Sequence, residues 1–322
     1  MSETIDLRPT NGAALIGIFI STAMYGFTTF QMFNYYQLSW HIDSWWIKVF
    51  VFYIWSLETV HVFLLCDFVY RFAIADFGNI VAISVTHTAD DVTTGITALI
   101  VLSVHLFYTR RLWILSNKSV ILVGVVGLLA FAHFGLEMAV MALTFKFPDF
   151  SQFHKITAFS TYTASLALAA GDDIIIAVSL CYLLYTRRTG VRKTDTLVNR
   201  IIAYTITTGA LTSVVDIACL LCFVALPNAL IYLALYDIAP NLYANSLLAM
   251  LNARESLQKA SEVSTATGSL FALSELRARA RTAIDNDGQH RAQDGPDVVS
   301  SKIAFAYPPG TESGLVDTVL DA

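Results

Sequence analysis

The sequence predicts an all-α fold: a polytopic membrane protein built as a seven-transmembrane-helix bundle, with the N-terminus outside and the C-terminus cytoplasmic. Three observations carry this expectation. Seven long apolar stretches fill the first three quarters of the 322 residues. Each has about the length a helix needs to cross ~30 Å of hydrocarbon, roughly 20 residues at 1.5 Å each. The composition agrees, with 56% hydrophobic residues, 14% charged residues and a mean hydropathy of +0.60, whereas a soluble domain carries about 25% charged residues. Backbone groups inside a bilayer find no water, so the stretches must satisfy their hydrogen bonds internally, as helices.

The spans follow in order. Span one covers Gly12 to Tyr36, span two Trp45 to Val69, span three Val92 to Tyr108 and span four Val120 to Leu143. Span five covers Thr157 to Tyr185, span six Ile201 to Leu226 and span seven Ala229 to Met250. Tyr35, Tyr36, Trp40, Trp45, Trp46, Tyr108 and Trp113 sit near span ends, where amphipathic rings match the headgroup level. The stretch from Phe72 to Val85 is apolar but short and interrupted by Asp76 and Gly78, which suits an interfacial or re-entrant segment. Pro227-Asn228 makes spans six and seven a tight hairpin, and Pro240-Asn241 is expected to kink span seven. Asp195 and Thr196 are expected to cap span six. Gly26, Gly124, Gly127, Gly209 and the pair Ala167 and Gly171 are expected to let helices approach closely.

Lysine and arginine set the orientation. With the N-terminus outside, the inner side close to the spans holds eleven of these residues, among them Arg187, Arg188, Arg192, Lys193 and Arg200 between spans five and six, and Arg254 and Lys259 just after span seven. The outer side holds four: Arg8, Arg71, Lys146 and Lys155. This is the positive-inside pattern. Residues 1–11 are then extracellular and lack a small-residue cleavage pattern, so span one is expected to remain as a signal anchor. Residues 12–253 form the membrane domain, and 254–322 form a cytoplasmic, largely disordered tail. Within that tail Ser269 to Ile284 has the spacing of a short helix. All four cysteines lie within or beside apolar stretches, which argues against a disulfide framework.

Ionisable side chains inside the spans are the functional signal, because each costs roughly 2.5–3.5 kcal/mol at mid-helix if left facing lipid. The chain carries Glu58 and His61 in span two, His105 in span three, and His133 and Glu137 in span four. Asp172 and Asp173 lie in span five, Asp216 in span six and Asp237 in span seven. Glu58 with His61, and His133 with Glu137, each share one helix face. No lysine or arginine lies deep in any span to neutralise the acids. These residues therefore predict a polar, net-acidic cavity between helices, nearer the outer face, suited to a proton, a metal ion or a cationic ligand.

Several residues carry a resemblance. Gly26, Gln31 and Tyr35 are followed by Asp43-x-x-x-x-Lys48 and by Trp55-x-Leu57-Glu58-Thr59-x-His61. Arg111-Leu-Trp-x-Leu-Ser116, Ala132-His133-Phe134-Gly135 and Thr194-Asp195-Thr196-Leu197-x-Asn199-Arg200 come next. The series closes with Leu242-Tyr243-x-Asn245-Ser246-Leu247-Leu248-Ala249-x-Leu251-Asn252-Ala253-Arg254. It resembles fungal, mostly basidiomycete, seven-helix integral membrane proteins that share a C-terminal domain of unknown function, here about residues 165–254. The resemblance implies a membrane protein of uncharacterised activity. In span seven Tyr243, Asn245, Ser246, Asn252 and Arg254 suit helix packing, since Asn and Ser hydrogen-bond across helices.

Three functional classes remain open. The first is a receptor-like or sensor-like protein at the plasma membrane, with an outward-facing cavity for a small-molecule or cationic ligand. Its basic loop and tail would meet a cytoplasmic protein partner. The second is a proton-coupled transporter or permease using Glu58, His61 and Glu137. The third is an intramembrane metalloenzyme, suggested by the single Glu-x-x-His spacing. The chain has no nucleotide loop, nucleophile elbow or H-E-x-x-H motif. No enzymatic activity, cofactor, bound metal or nucleic-acid partner is expected.

Overall fold

The computed structural model describes residues 12–38, 43–77, 79, 87–147, 156–186, 192–226, 229–253 and 273–277. Among them it is all-helical, with no strand. The long helices are α1 (Ala13–Leu38), α2 (Trp45–Tyr70), α3 (Thr88–Leu115), α4 (Val120–Lys146), α5 (Ile156–Thr186), α6 (Arg192–Ala225) and α7 (231–253). Helices α1 to α6 are each long and apolar enough to cross a membrane, and the chain is a multi-pass membrane protein. Their outward faces carry large apolar side chains that water would not tolerate in such number. Phe19, Phe27, Phe30, Phe63, Ile121, Leu128, Phe131, Val178 and Leu221 are all more than half exposed.

Helix α7 differs. It carries Asp237, Asn241, Asn245, Ser246 and Asn252, and most of its side chains are buried. Protein surrounds it instead of lipid, and the side-chain amides of Asn241, Asn245 and Asn252 find acceptors there. Pro240 does not interrupt it, and the helix is continuous from 231 to 253.

Helix α1 lies alongside α7 and runs parallel to it. The contacts advance together along both helices. Gly17 meets Ala234, Asn241 Nδ2 donates to Ser21 Oγ at 2.6 Å, Asn245 Nδ2 donates to the Met24 carbonyl at 3.2 Å, and Asn252 Nδ2 donates to the Gln31 carbonyl at 2.9 Å. In lipid, where apolar burial gives little net attraction between helices, such bonds and close packing hold the bundle together. The resemblance motif thus marks contacts between helices, and Tyr35, which donates to Asp43 Oδ2 at 2.8 Å, belongs to the same pattern.

Three apolar clusters complete the core. One joins α1, α2, α3 and α7 around Tyr35, Val51, Val104 and Leu247. A second joins α3, α4 and α5 around Leu112, Val126 and Leu180. A third joins α4, α5, α6 and α7 around Val140, Tyr162, Phe223 and Tyr232. Threonines within the helices return their hydroxyls to the carbonyl four residues back, as Thr22 does to Ile18 and Thr109 to His105.

Several expectations need correction. The helix behind span six starts at Arg192, so Asp195 and Thr196 lie inside it and do not cap it. A π-turn, Arg71–Ala75, continues α2 past Tyr70, so the start of the apolar stretch after span two extends a crossing helix. The rest of that stretch lies largely outside the described residues. An added Cβ at Gly26, Gly124 or Gly171 would meet nothing within 4 Å, and at Gly127 only Thr109 at 3.9 Å. Gly209 does allow a close approach, against Ala177, and two glycines not expected to do so join it: Gly17 against Ala234 and Gly95 against Met141. Helix α3 runs past the expected end of span three at Tyr108 to Leu115, and Arg111 in this extension is a buried side chain that meets the Met250 sulfur.

Candidate functional site

The ionisable groups gather mainly on the inward faces of α3 to α7. Asp172 and Asp173 are adjacent on α5, so the helix turn fans their carboxyl groups to either side of one point. His105 on α3 occupies that point. Its Nδ1 lies 3.1 Å from Asp172 Oδ2 and its Nε2 lies 3.0 Å from Asp173 Oδ1. All three side chains are buried. An imidazole with a carboxylate at each nitrogen is best served by a proton on both nitrogens, because both contacts are then attractive.

Tyr243 on α7 extends this group. Its hydroxyl lies 2.9 Å from Asp173 Oδ2 and 2.8 Å from Asp216 Oδ2 on α6. A phenol has one proton to donate. Two contacts of this length mean that the proton is shared or that one carboxyl group carries a second. Four helices therefore meet in one cluster, in which His105, Asp173, Asp216 and Tyr243 are hydrogen-bonded and Asp172 faces His105 at ion-pair distance.

Glu137 on α4 is a second node. Ser165 donates to its Oε1 at 2.6 Å and Tyr236 donates to its Oε2 at 2.8 Å. His133, one turn earlier, places Nε2 3.5 Å from the same Oε1. The rings of His133 and His105 lie 6.2 Å apart, centroid to centroid, so the two nodes are neighbours.

A cavity of about 70 Å³ adjoins the Glu137 node. It lies at the end of the bundle where α1, α3, α5 and α7 begin and α2, α4 and α6 end. Tyr162, Phe223, Tyr232 and Tyr236 form an aromatic wall, packed on one another with centroids 4.5–5.9 Å apart. Asp90, Asp91 and Asp237 add carboxyl groups. Asp90 accepts the His87 backbone N–H at 2.8 Å and is used in starting α3. Asp237 is 4% exposed, borders the cavity, and forms no hydrogen bond or ion pair among the described residues.

The sequence-derived residues thus fall into three groups. Asp172, Asp173 and Asp216 converge on His105, and His133 with Glu137 adjoins them. Asp237 stands apart, at the cavity. Glu58 and His61 are fully buried on α2, and among the described residues neither the carboxyl oxygens nor the ring nitrogens have a hydrogen-bond partner. Most of these acids build tight contacts and do not line one open void. Arg187, Arg188 and Arg254 lie outside the described residues, while Arg192, Lys193 and Arg200 fall on the first turns of α6. Among the described residues no group of three or more His, Cys, Asp or Glu is arranged to hold a metal ion. The four cysteines are free thiols, and Cys219 donates to the Tyr232 carbonyl at 3.2 Å. Sequence reasoning missed Tyr162, Tyr232 and Tyr236. Their signal was available, since Tyr232, Tyr236 and Tyr243 recur at helical spacing on one face of α7.

The family model of DUF6534, a family of unknown function, matches residues 169–256. The DUF6534 match starts just before Asp172 and covers Asp173, Asp216, Tyr236, Asp237 and Tyr243. The domain therefore holds most of the α5–α7 half of the cluster, while His105, His133 and Glu137 come from helices before it. No curated protein and no solved structure matches the chain.

Proposed function

We propose that this protein is a seven-span, receptor-like or sensor-like membrane protein. Its N-terminus is outside, its C-terminus is cytoplasmic, and its aromatic cavity opens outward to take a small organic ammonium ion. The observation that carries the reading is Asp237: a buried carboxyl group with no hydrogen-bond or ion-pair partner among the described residues, set beside four aromatic rings in a cavity. A cation over an aromatic face gains about 0.5–2 kcal/mol, more when desolvated, and a carboxylate adds a charge-assisted hydrogen bond. One water needs roughly 10–15 Å³ on this measure, so about 70 Å³ accommodates several non-hydrogen atoms.

Supporting features agree on the layout. The parallel course of α1 and α7 fits an odd number of crossings. The excess of lysine and arginine on one side fits a cytoplasmic face holding Arg187, Arg188, Arg192, Lys193 and Arg200. On this reading the basic loop meets a cytoplasmic protein partner, and the chain binds its ligand without transforming it. The plasma membrane is the site that an outward ligand cavity requires.

The test is a thermal-shift and calorimetric screen of purified protein against small primary, tertiary and quaternary amines, with neutral isosteres as controls. At least one amine is expected to bind, and Asp237→Asn to weaken it by about tenfold or more. Binding of neutral isosteres alone, or an Asp237→Asn variant that binds the amine as well as the native protein, overturns the reading.

A further inference from the structure

We propose that protons pass through the bundle along Tyr236, Glu137, His133, His105, Asp173 and Tyr243, joining the aromatic cavity to a second cavity on the far side of the cluster. The proposal is independent of which ligand the first cavity takes. The second cavity, about 20 Å³, is bordered by Asp173 and Tyr243 and by the hydroxyl-bearing Thr205, Thr212 and Ser246. That is room for about one water on the scale above. Tyr236 borders the first cavity and Tyr243 the second. The two tyrosines lie seven residues apart on α7, two turns along one face. Each donates to a buried carboxyl group of another helix.

Between them the path is nearly continuous. The steps are Tyr236 to Glu137 at 2.8 Å, Glu137 to His133 at 3.5 Å, His105 to Asp173 at 3.0 Å and Asp173 to Tyr243 at 2.9 Å. The one longer step is from His133 to His105, with ring centroids 6.2 Å apart. One bridging water or a rotation of the His133 ring closes such a gap. Chains of acids and histidines inside a membrane are the chemistry of proton relays.

The transfer balances. At each step one O–H or N–H bond breaks as another forms. The proton enters from water in one cavity and leaves to water in the other. No electron pair leaves and no co-reactant is consumed. The groups facing the path are Asp172 on α5 and Asp216 and Cys219 on α6. Tyr162 on α5 and Tyr232 and Asp237 on α7 face its cavity end. Glu58 and His61 on α2 hydrogen-bond to none of them. Asp216, 2.8 Å from Tyr243, gives the proton a second acceptor and makes that hydroxyl a two-way exchange point.

The experiment reconstitutes the full chain in liposomes containing a pH-sensitive dye and imposes a potassium diffusion potential with valinomycin. Proton uptake above that of empty liposomes is expected. His105→Gln and Tyr243→Phe are each expected to lower it by about tenfold or more, the scale of one lost buried hydrogen bond in a transfer barrier. Tyr35→Phe, which removes a buried tyrosine–carboxylate bond away from the path, is expected to leave it within about twofold. Uptake equal to that of empty liposomes overturns the proposal, and this needs no variant. So does native-like uptake in Tyr243→Phe or His105→Gln, or an equal loss in Tyr35→Phe. Should Tyr243→Phe fail to elute as folded protein, Asp173→Asn takes its place under the same criteria.

Discussion

The Tyr236 hydroxyl donates to Glu137 Oε2 at 2.8 Å, tying α7 to α4 in the interior of the bundle. The bond satisfies one oxygen of a carboxyl group that is 2% exposed, while Ser165 satisfies the other. A buried acceptor that loses its donor costs about 1–3 kcal/mol. Tyr236→Phe keeps the ring in the aromatic wall and removes the hydroxyl that donates to Glu137 and meets the Thr94 side chain. The variant is expected to lose about 1–3 kcal/mol of stability, visible as a lower melting temperature in detergent. An unchanged melting temperature would show that Glu137 does not need this bond.

Two glycines of α1 should respond with opposite signs. An ideal Cβ on Gly17 would lie 2.5 Å from the Ala234 Cα of α7, and the atom it meets is backbone. Overpacking of this kind typically costs about 1–3 kcal/mol. A Cβ on Gly26 would meet nothing within 4 Å, and alanine is favoured over glycine in a helix by about 1 kcal/mol. Gly17→Ala is therefore expected to lower the melting temperature and Gly26→Ala to hold or raise it. Equal effects of the two would contradict the close contact of α1 and α7.

That contact shows what sequence does and does not reveal. Hydropathy located the six apolar helices because lipid contact writes itself into composition residue by residue. The helix at 231–253 is legible in the sequence as a long apolar stretch, but its buried place inside the bundle is not. The sequence says that Asn241 and Asn245 want partners and does not say that α1 supplies them. The ionisable residues were legible for the same reason: an acid in a span must be accommodated. Their grouping was not. His105 was noticed only as one more polar group, and its position between Asp172 and Asp173 depends on how α3 and α5 pack. The aromatic cavity was the least visible feature, because tyrosines in a span read equally well as core or as headgroup anchors.

The turn between α3 and α4 offers a gain in stability. Asn117 has φ 55° and Lys118 has φ 66°. This left-handed conformation costs a side-chain-bearing residue roughly 1–2 kcal/mol, with asparagine the best tolerated after glycine. Lys118 has no such dispensation. Lys118→Gly relieves the strain and gives back part of it through a more flexible unfolded chain. A net gain of about 0.5–1 kcal/mol is expected, read as a raised melting temperature. Lys118→Val, with its branched side chain, is expected to fall below the native protein. A valine variant as stable as the glycine one would mean that the turn is unstrained.

The parallel pairing of α1 and α7 makes a topological prediction. Helices that cross in alternation place the first and the seventh in the same direction, and six crossings would put both ends of the membrane domain on one side. The offset between paired residues stays nearly constant from Gly17–Ala234 to Gln31–Asn252, as it must for parallel neighbours. Antiparallel helices would have paired the start of α1 with the end of α7. In a background with Cys66, Cys181, Cys219 and Cys222 replaced, single cysteines at Ser2 and Ser274 are expected to react with a membrane-impermeant maleimide from opposite sides of intact spheroplasts. Ser2 is expected to label without lysis and Ser274 only after it, because on the proposed seven-span layout the lysine and arginine excess falls on the side of Ser274. Labelling of both without lysis, or of neither, would mean an even number of crossings. In that case α7 could not span the membrane alongside α1 in the same direction. Labelling of Ser274 alone would keep the seven crossings and reverse the bundle, so that the aromatic cavity faced the cytoplasm.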